Sequence, residues 1–175
     1  MGQKLRVEIP GGIFHVAARG NARATIFRDE TDYLEFMRKL AAVITEARWL
    51  CHAYCLMPNH YHLLLETPEP TLAFGMHRLN GRYARWFNRS AKRVGRVFQG
   101  PYFAEPIESD EHLAELFRYI SLNPVRARLC NDPAQWPWSS YAATIGAASP
   151  PSFLTLDRVR ALFGPDGLRA AVAAA

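Results

Sequence analysis

The sequence predicts an α+β fold, an antiparallel sheet carrying helices, on three observations. Short apolar stretches with strand character occupy residues 13–18, 50–56, 60–66 and 102–108. Apolar residues recur at helical spacing over about 29–47, 71–91 and 110–122, and turn signals separate the blocks. The order is therefore strand, helix, hairpin, helix, strand, helix.

Each element has a local reason. Ile13 to Ala18 is apolar and ends at the turn Arg19-Gly20-Asn21. Asp29 can cap the first helix, whose Tyr33, Met37, Leu40, Ile44 and Ala47 share one face. Met57-Pro58-Asn59 turns the chain between two strands, the second closed by Thr67-Pro68. Leu72, Met76, Leu79, Tyr83 and Trp86 stripe the second helix. Gly95 and Gly100-Pro101 interrupt the chain before the fourth strand, and Ser109 or Asp110 caps a third helix expected to reach about Leu122. A β-α-β-β-α-β unit is the ferredoxin-like arrangement, with two helices on one face of the sheet; the other face is left for a site or for the third helix. Trp136-Pro137-Trp138 reads as an ordered loop, and residues 155–163 as a short helix stopped by Gly164. The expected organisation is one domain over residues 1–145 and a C-terminal appendage over 146–175.

Composition narrows the function. With 49% hydrophobic residues, 175 residues can bury one core. No run approaches the roughly 20 apolar residues of a membrane span, and the N-terminus lacks signal-peptide features, so a cytoplasmic, nucleoid-associated protein is expected. Cys51, Cys55 and Cys130 form neither a disulfide pattern nor a thiolate zinc motif and read as buried thiols. The net charge of +5 is unevenly spread. No acidic residue lies between Glu69 and Glu105, whereas Arg78, Arg82, Arg85, Arg89, Lys92, Arg93 and Arg96 all do. The first four share a helix face able to follow a phosphate backbone, or simply to meet solvent.

The sharpest chemical feature is His60-Tyr61-His62. Two residues apart on a strand, both imidazoles leave the same face and can grip one metal ion, although such pairs also occur as hydrogen-bonded surface groups. On the third helix Tyr119 and Asn123 lie one above the other, flanking the stripe of Leu113, Leu116, Phe117 and Ile120. Tyr119 could present a hydroxyl to a site beneath, and Asn123 an amide oxygen; equally, Tyr119 could be a packing residue and Asn123-Pro124 the start of another short helix. His15, His52, His77 and His112 show no ligand spacing and read as structural or surface residues.

Several segments together resemble the REP-associated tyrosine transposases, within the wider single-tyrosine His-hydrophobe-His transposase family. They are His15-Val16 with Arg19-Gly20-Asn21, Met57 to Leu64, Phe98-Gln99-Gly100, Tyr119-Ile120 with Asn123 to Ala127, and Trp138 to Tyr141, spanning about residues 13–143 in the family's order. The resemblance implies His60 and His62 as metal ligands, Asn123 as a third amide ligand and Tyr119 as nucleophile. It also implies hairpin-forming single-stranded DNA as substrate, and either a monomer or a homodimer with exchanged tyrosine helices. The basic residues named above, together with Arg19 and Arg126, are the ones expected to contact DNA. Nitrogen and oxygen donors without thiolate favour Mg2+ or Mn2+, although paired imidazoles also accept Zn2+ or Ni2+. Two positions depart from the family pattern: Pro101 stands where an arginine is common, and Arg128 where a glycine is. A non-enzymatic single-strand binder and a hydrolase using water are the rival expectations.

Overall fold

The computed structural model describes residues 8–173, so residues 1–7 and 174–175 of the two expected segments lie outside the described residues. Four strands, β1 (Gly12–Arg19), β2 (Leu50–Met57), β3 (His60–Thr67) and β4 (Phe103–Ile107), form one sheet in the order β2-β3-β1-β4. Every neighbouring pair is antiparallel. With α1 (Glu30–Ala47) and α2 (Leu72–Ser90) this is the expected β-α-β-β-α-β unit, followed by α3 (Asp110–Arg126), a one-turn α4 (Tyr141–Thr144) and α5 (Asp157–Ala173).

Strand alternation divides the sheet's side chains between two cores. Phe14, Val16, Tyr61, Leu63 and Leu65 pack with α1 and α2 in one core. Ile13, Ala53, Cys55 and Leu64 pack on the other side with Leu113, Phe117 and Ile120 of α3. The helix carrying Tyr119 thus covers the face that α1 and α2 leave open. Asp29 caps α1 by accepting from the Asp32 amide, and Ser109, rather than Asp110, caps α3 by accepting from the His112 amide.

Two helices run further than expected. α3 passes through Asn123-Pro124 to Arg126: Pro124 stands in its last turn, where the missing N–H costs a single helical bond, and the residue is buried. α5 bends at Gly164 (φ 68°, ψ 175°) and resumes, burying Val159, Leu168 and Val172 against the α3 core. The C-terminal segment therefore packs as part of the second core. Trp136-Pro137-Trp138 is a packed strap: Trp138 stacks on Tyr33 at 4.4 Å, and the Trp136 indole N–H donates to the Leu56 carbonyl. Cys51 and Cys55 are buried and Cys130 half-buried, all as free thiols. No helix is long and apolar enough to cross a membrane among the described residues.

Candidate active site

The turn before β3 sets the site's edge. Pro58 and Asn59 carbonyls accept from Ile26, Phe27 and Gly20 amides, tying the hairpin to the end of β1. Gly20 is required there, since a Cβ would lie 2.0 Å from the Ala24 carbonyl oxygen. The Arg19 carbonyl accepts from the Gln99 amide, which seats residues 99–101 beside the end of β1, on the edge away from β3.

On β3, His60 and His62 leave the same face with ring centroids 5.0 Å apart, while Tyr61 points into the opposite core. The Nδ1–H of His60 donates to Asn59 Oδ1 at 2.7 Å, because a carbonyl oxygen can only accept. That fixes the lone pair on His60 Nε2. His62 is nearly buried; its Nδ1 meets His15 Nε2 at 2.9 Å, and its Nε2 is buried without a protein partner. His15 comes from β1, where Ala17 sits opposite His62 and His15 is the next residue along on that face.

Tyr119 reaches this group from α3. Its ring centroid is 5.6 Å from that of His62 and 6.4 Å from that of His15, all within one chain, and the side chain is 41% exposed. Arg126 lies over the Tyr119 ring with its guanidinium carbon 5.5 Å from the centroid. Asn123 donates through Nδ2 to the Tyr119 carbonyl at 3.0 Å, which leaves Oδ1 as the atom able to bind something else. A cleft of about 390 Å³ is lined by His15, Arg19, His60, His62, Gln99 and Phe103. Neither Asn123 nor Tyr119 lines it; Tyr119 meets its His62 from α3, and Asn123 lies one helical turn further along.

The donor set fits a divalent cation. Burial, and then the Arg19 charge, push His60 down to about 4; burial, then His15, His60 and Arg19, push His62 down to about 3. Both rings are neutral at neutral pH, the form that coordinates metal. A buried imidazole nitrogen with no partner is costly unless something binds it, and His62 Nε2 is such an atom. Among the described residues no third histidine, cysteine or carboxylate completes a ligand group, so a third protein donor would be an amide oxygen. Asn123 and Gln99 both carry one.

The basic residues fall in three places. Arg19 and Arg126 flank the site. Arg78, Arg82, Arg85 and Arg89 lie on α2, on the other side of the sheet. Lys92, Arg93 and Arg96 occupy the loop between α2 and the cleft. Arg78 and Arg82 are ion-paired with Glu46 of α1, a partner that spacing along α2 does not reveal. No ion pair is formed by Arg85 or Arg89 among the described residues.

Two residues of the cleft escaped the reading of the sequence. His15 was placed with the structural histidines because a lone histidine on a strand has no spacing signal; only β1–β3 pairing brings it to His62. Gln99 stood within a recognisable segment without a role, and a backbone hydrogen bond to Arg19 places it.

Comparison with known proteins gives the family and the fold. A curated Haemophilus influenzae protein, described as a candidate REP-associated tyrosine transposase, is 27% identical over 129 residues, covering 67% of this chain and 73% of that one. The solved structure of a REP-associated tyrosine transposase bound to a REP hairpin superposes with a TM-score of 0.71 at 18% identity, covering 89% of this chain and 92% of that chain. A yeast (Saccharomyces cerevisiae) tRNA(His) guanylyltransferase shares the general fold at 10% identity and a TM-score of 0.52, over 97% of this chain and 80% of that one. The model of the family described as IS200-like transposases matches residues 10–123, from the start of β1 to the amide one turn beyond Tyr119. By that match the chain belongs to the IS200-like transposase family.

Proposed function

We propose that the protein is a single-strand DNA endonuclease and strand transferase, dependent on Mg2+ or Mn2+, that acts on hairpin-forming repeat DNA through a 5′-phosphotyrosine link to Tyr119. One observation carries the reading: the ring of an exposed tyrosine has its centroid 5.6 Å from that of His62 in the same chain, beside two neutral imidazoles, with the Nε2 of His62 buried and unpartnered and His60 bonded through its Nδ1. The similarity to a transposase solved with a REP hairpin supports the substrate class.

When bound, the ion would be held by Nε2 of His60 and His62 with an amide oxygen of Asn123 or Gln99, and would polarise the scissile phosphate as a Lewis acid. A phenol, with an ordinary pKa near 10, is a poor nucleophile unless its target is activated. Tyr119 supplies the attacking oxygen: its O–P bond forms, the bond from phosphorus to the 3′ oxygen breaks, the phenolic proton is lost and the departing oxygen leaves as a hydroxyl. The link conserves the phosphodiester's bond energy, so attack by another 3′-hydroxyl reverses the step and joins strands without ATP. Arg126, over the Tyr119 ring, and Arg19, in the cleft wall, would hold the phosphate's charge. The site is formed within one chain, so a monomer contains it whole and a homodimer would contain two.

A denaturing gel of labelled hairpin DNA incubated with protein and Mn2+ tests this. Tyr119→Phe is expected to bind DNA normally and form no protein-linked species, since only the hydroxyl is removed. His60→Ala and His62→Ala are expected to abolish cleavage, and excess EDTA to reproduce their effect on the wild type. Cleavage by the phenylalanine variant would sink the nucleophile; free DNA products with no adduct would point to attack by water, and binding without any cleavage to a non-enzymatic binder.

A further inference from the structure

The His15–His62 contact leaves a choice of tautomers with chemical consequences. If His15 donates from Nε2, His62 must carry its proton on Nε2, where no acceptor exists. If His62 donates from Nδ1, its Nε2 presents a bare lone pair on the face it shares with His60. Either way two buried ring nitrogens, His15 Nδ1 and His62 Nε2, lack protein partners. A cation at His62 Nε2 satisfies one of them and is compatible only with the second arrangement.

We infer that His15 is a positioning residue for the metal ligand His62: its Nε2 accepts the Nδ1–H of His62, holding that ring in the tautomer and orientation whose Nε2 can coordinate. His15 does for His62 what Asn59 Oδ1 does for His60 at 2.7 Å, so each ligand has its own acceptor on the far ring nitrogen. The His15 ring is itself fixed: it is 6% exposed, nearly coplanar with His62 (interplanar angle 19°), and edged by Phe103 at 5.8 Å and Tyr119 at 6.4 Å. An acceptor of this kind also makes the coordinating nitrogen more electron-rich, and its removal typically weakens metal binding by about 10–100-fold. The inference rests on the metal-dependent reading above.

The test is calorimetric titration of the DNA-free protein with Mn2+, comparing wild type, His60→Ala, His15→Leu and His15→Gln. Wild type is expected to bind and His60→Ala to lose binding. His15→Leu should be weaker than wild type by about 10–100-fold with little change in thermal midpoint. His15→Gln, whose carbonyl oxygen can accept the same proton, should recover most of the loss. A second readout needs no variant: ring-nitrogen NMR of the Zn2+-loaded wild type should show His62 protonated at Nδ1 and bound through Nε2. A folded leucine variant with wild-type affinity, a glutamine variant no better than leucine, or an Nε2-protonated His62 in the loaded protein would each overturn the role of His15 alone. If wild type and His60→Ala alike bind no Mn2+, the metal-dependent reading falls and this inference with it.

Discussion

Arg128 shows at the scale of one residue how a departure from the family pattern acquires a physical meaning. It sits just beyond the end of α3 at φ 58°, the left-handed region where a Cβ crowds the following carbonyl. Arg48 and Lys92 do the same after α1 and α2 (φ 53° and 49°), and in each case the next amide closes the turn: Trp49 to Ile44, Arg93 to Asn88 and Leu129 to Pro124. A long basic side chain complements the helix C-terminus, but glycine meets the backbone requirement without strain. Arg128→Gly is therefore expected to stabilise the fold by about 0.5–1 kcal/mol, read as a higher urea midpoint. A lower midpoint would mean that the guanidinium's attraction to the helix end outweighs the strain. Single residues were unevenly legible in the sequence. His60 and His62 announce themselves because they are two apart on one strand, whereas His15 lies 47 positions from His62 and meets it only through the pairing of β1 with β3.

Among the elements, α1 and α2 follow from apolar residues at helical spacing, because each has one face in a core and one towards solvent, and β2 and β3 follow from nearly continuous apolar runs, because a core lies on either side of the sheet. The close approach of α2 to the end of α1 was less visible. Trp49 lies over Gly75 so tightly that a Cβ there would come within 2.1 Å of the indole, and its N–H donates to Thr71 at the start of the same helix. Gly75→Ala is expected to cost about 1–3 kcal/mol through overpacking, despite alanine's better helix propensity. Thermal denaturation would decide it, and a variant as stable as wild type would show that the indole can step aside. α3 outruns its sequence expectation for a related reason. Proline commonly ends a helix, but Pro124 is near the end of α3, where the lost amide costs one bond and the buried ring packs in return. The burial of Leu168 and Val172 could not be inferred from an alanine-rich tail whose two apolar anchors are four residues apart in a short stretch.

For the whole molecule, the sheet separates two groups of arginines. The His pair, Arg19, Arg126 and Tyr119 lie on one side, and the α2 arginines stand on the other, where a groove of about 440 Å³ runs between α1 and α2. Periodicity along α2 correctly placed Arg78, Arg82, Arg85 and Arg89 on one face, but two of them spend part of their charge on Glu46, more than thirty residues away in sequence. Arg85 and Arg89 remain as the cations free to meet phosphate. Replacing both with glutamine is expected to weaken hairpin binding and reduce the slope of log affinity against log salt by about 1.8, at about 0.9 for each lost phosphate contact. Adduct yield at saturating DNA should be unaltered, because the sheet lies between these residues and Tyr119. An unchanged salt slope would remove this face from the DNA footprint.

The packing of α5 on the tyrosine helix reaches beyond stability. Val159, Leu168 and Val172 share a core with Phe117 and Ile120, which lie in the same turn of α3 as Tyr119 and pack with Leu64 of the sheet. Lending that helix to another subunit would first require peeling it from both neighbours and wetting all of those side chains. On the proposed mechanism, Tyr119 and the histidine pair then belong to one polypeptide, and adduct yield per chain at saturating DNA is expected not to change as the protein is diluted; a yield that falls on dilution would mean that two chains share the site.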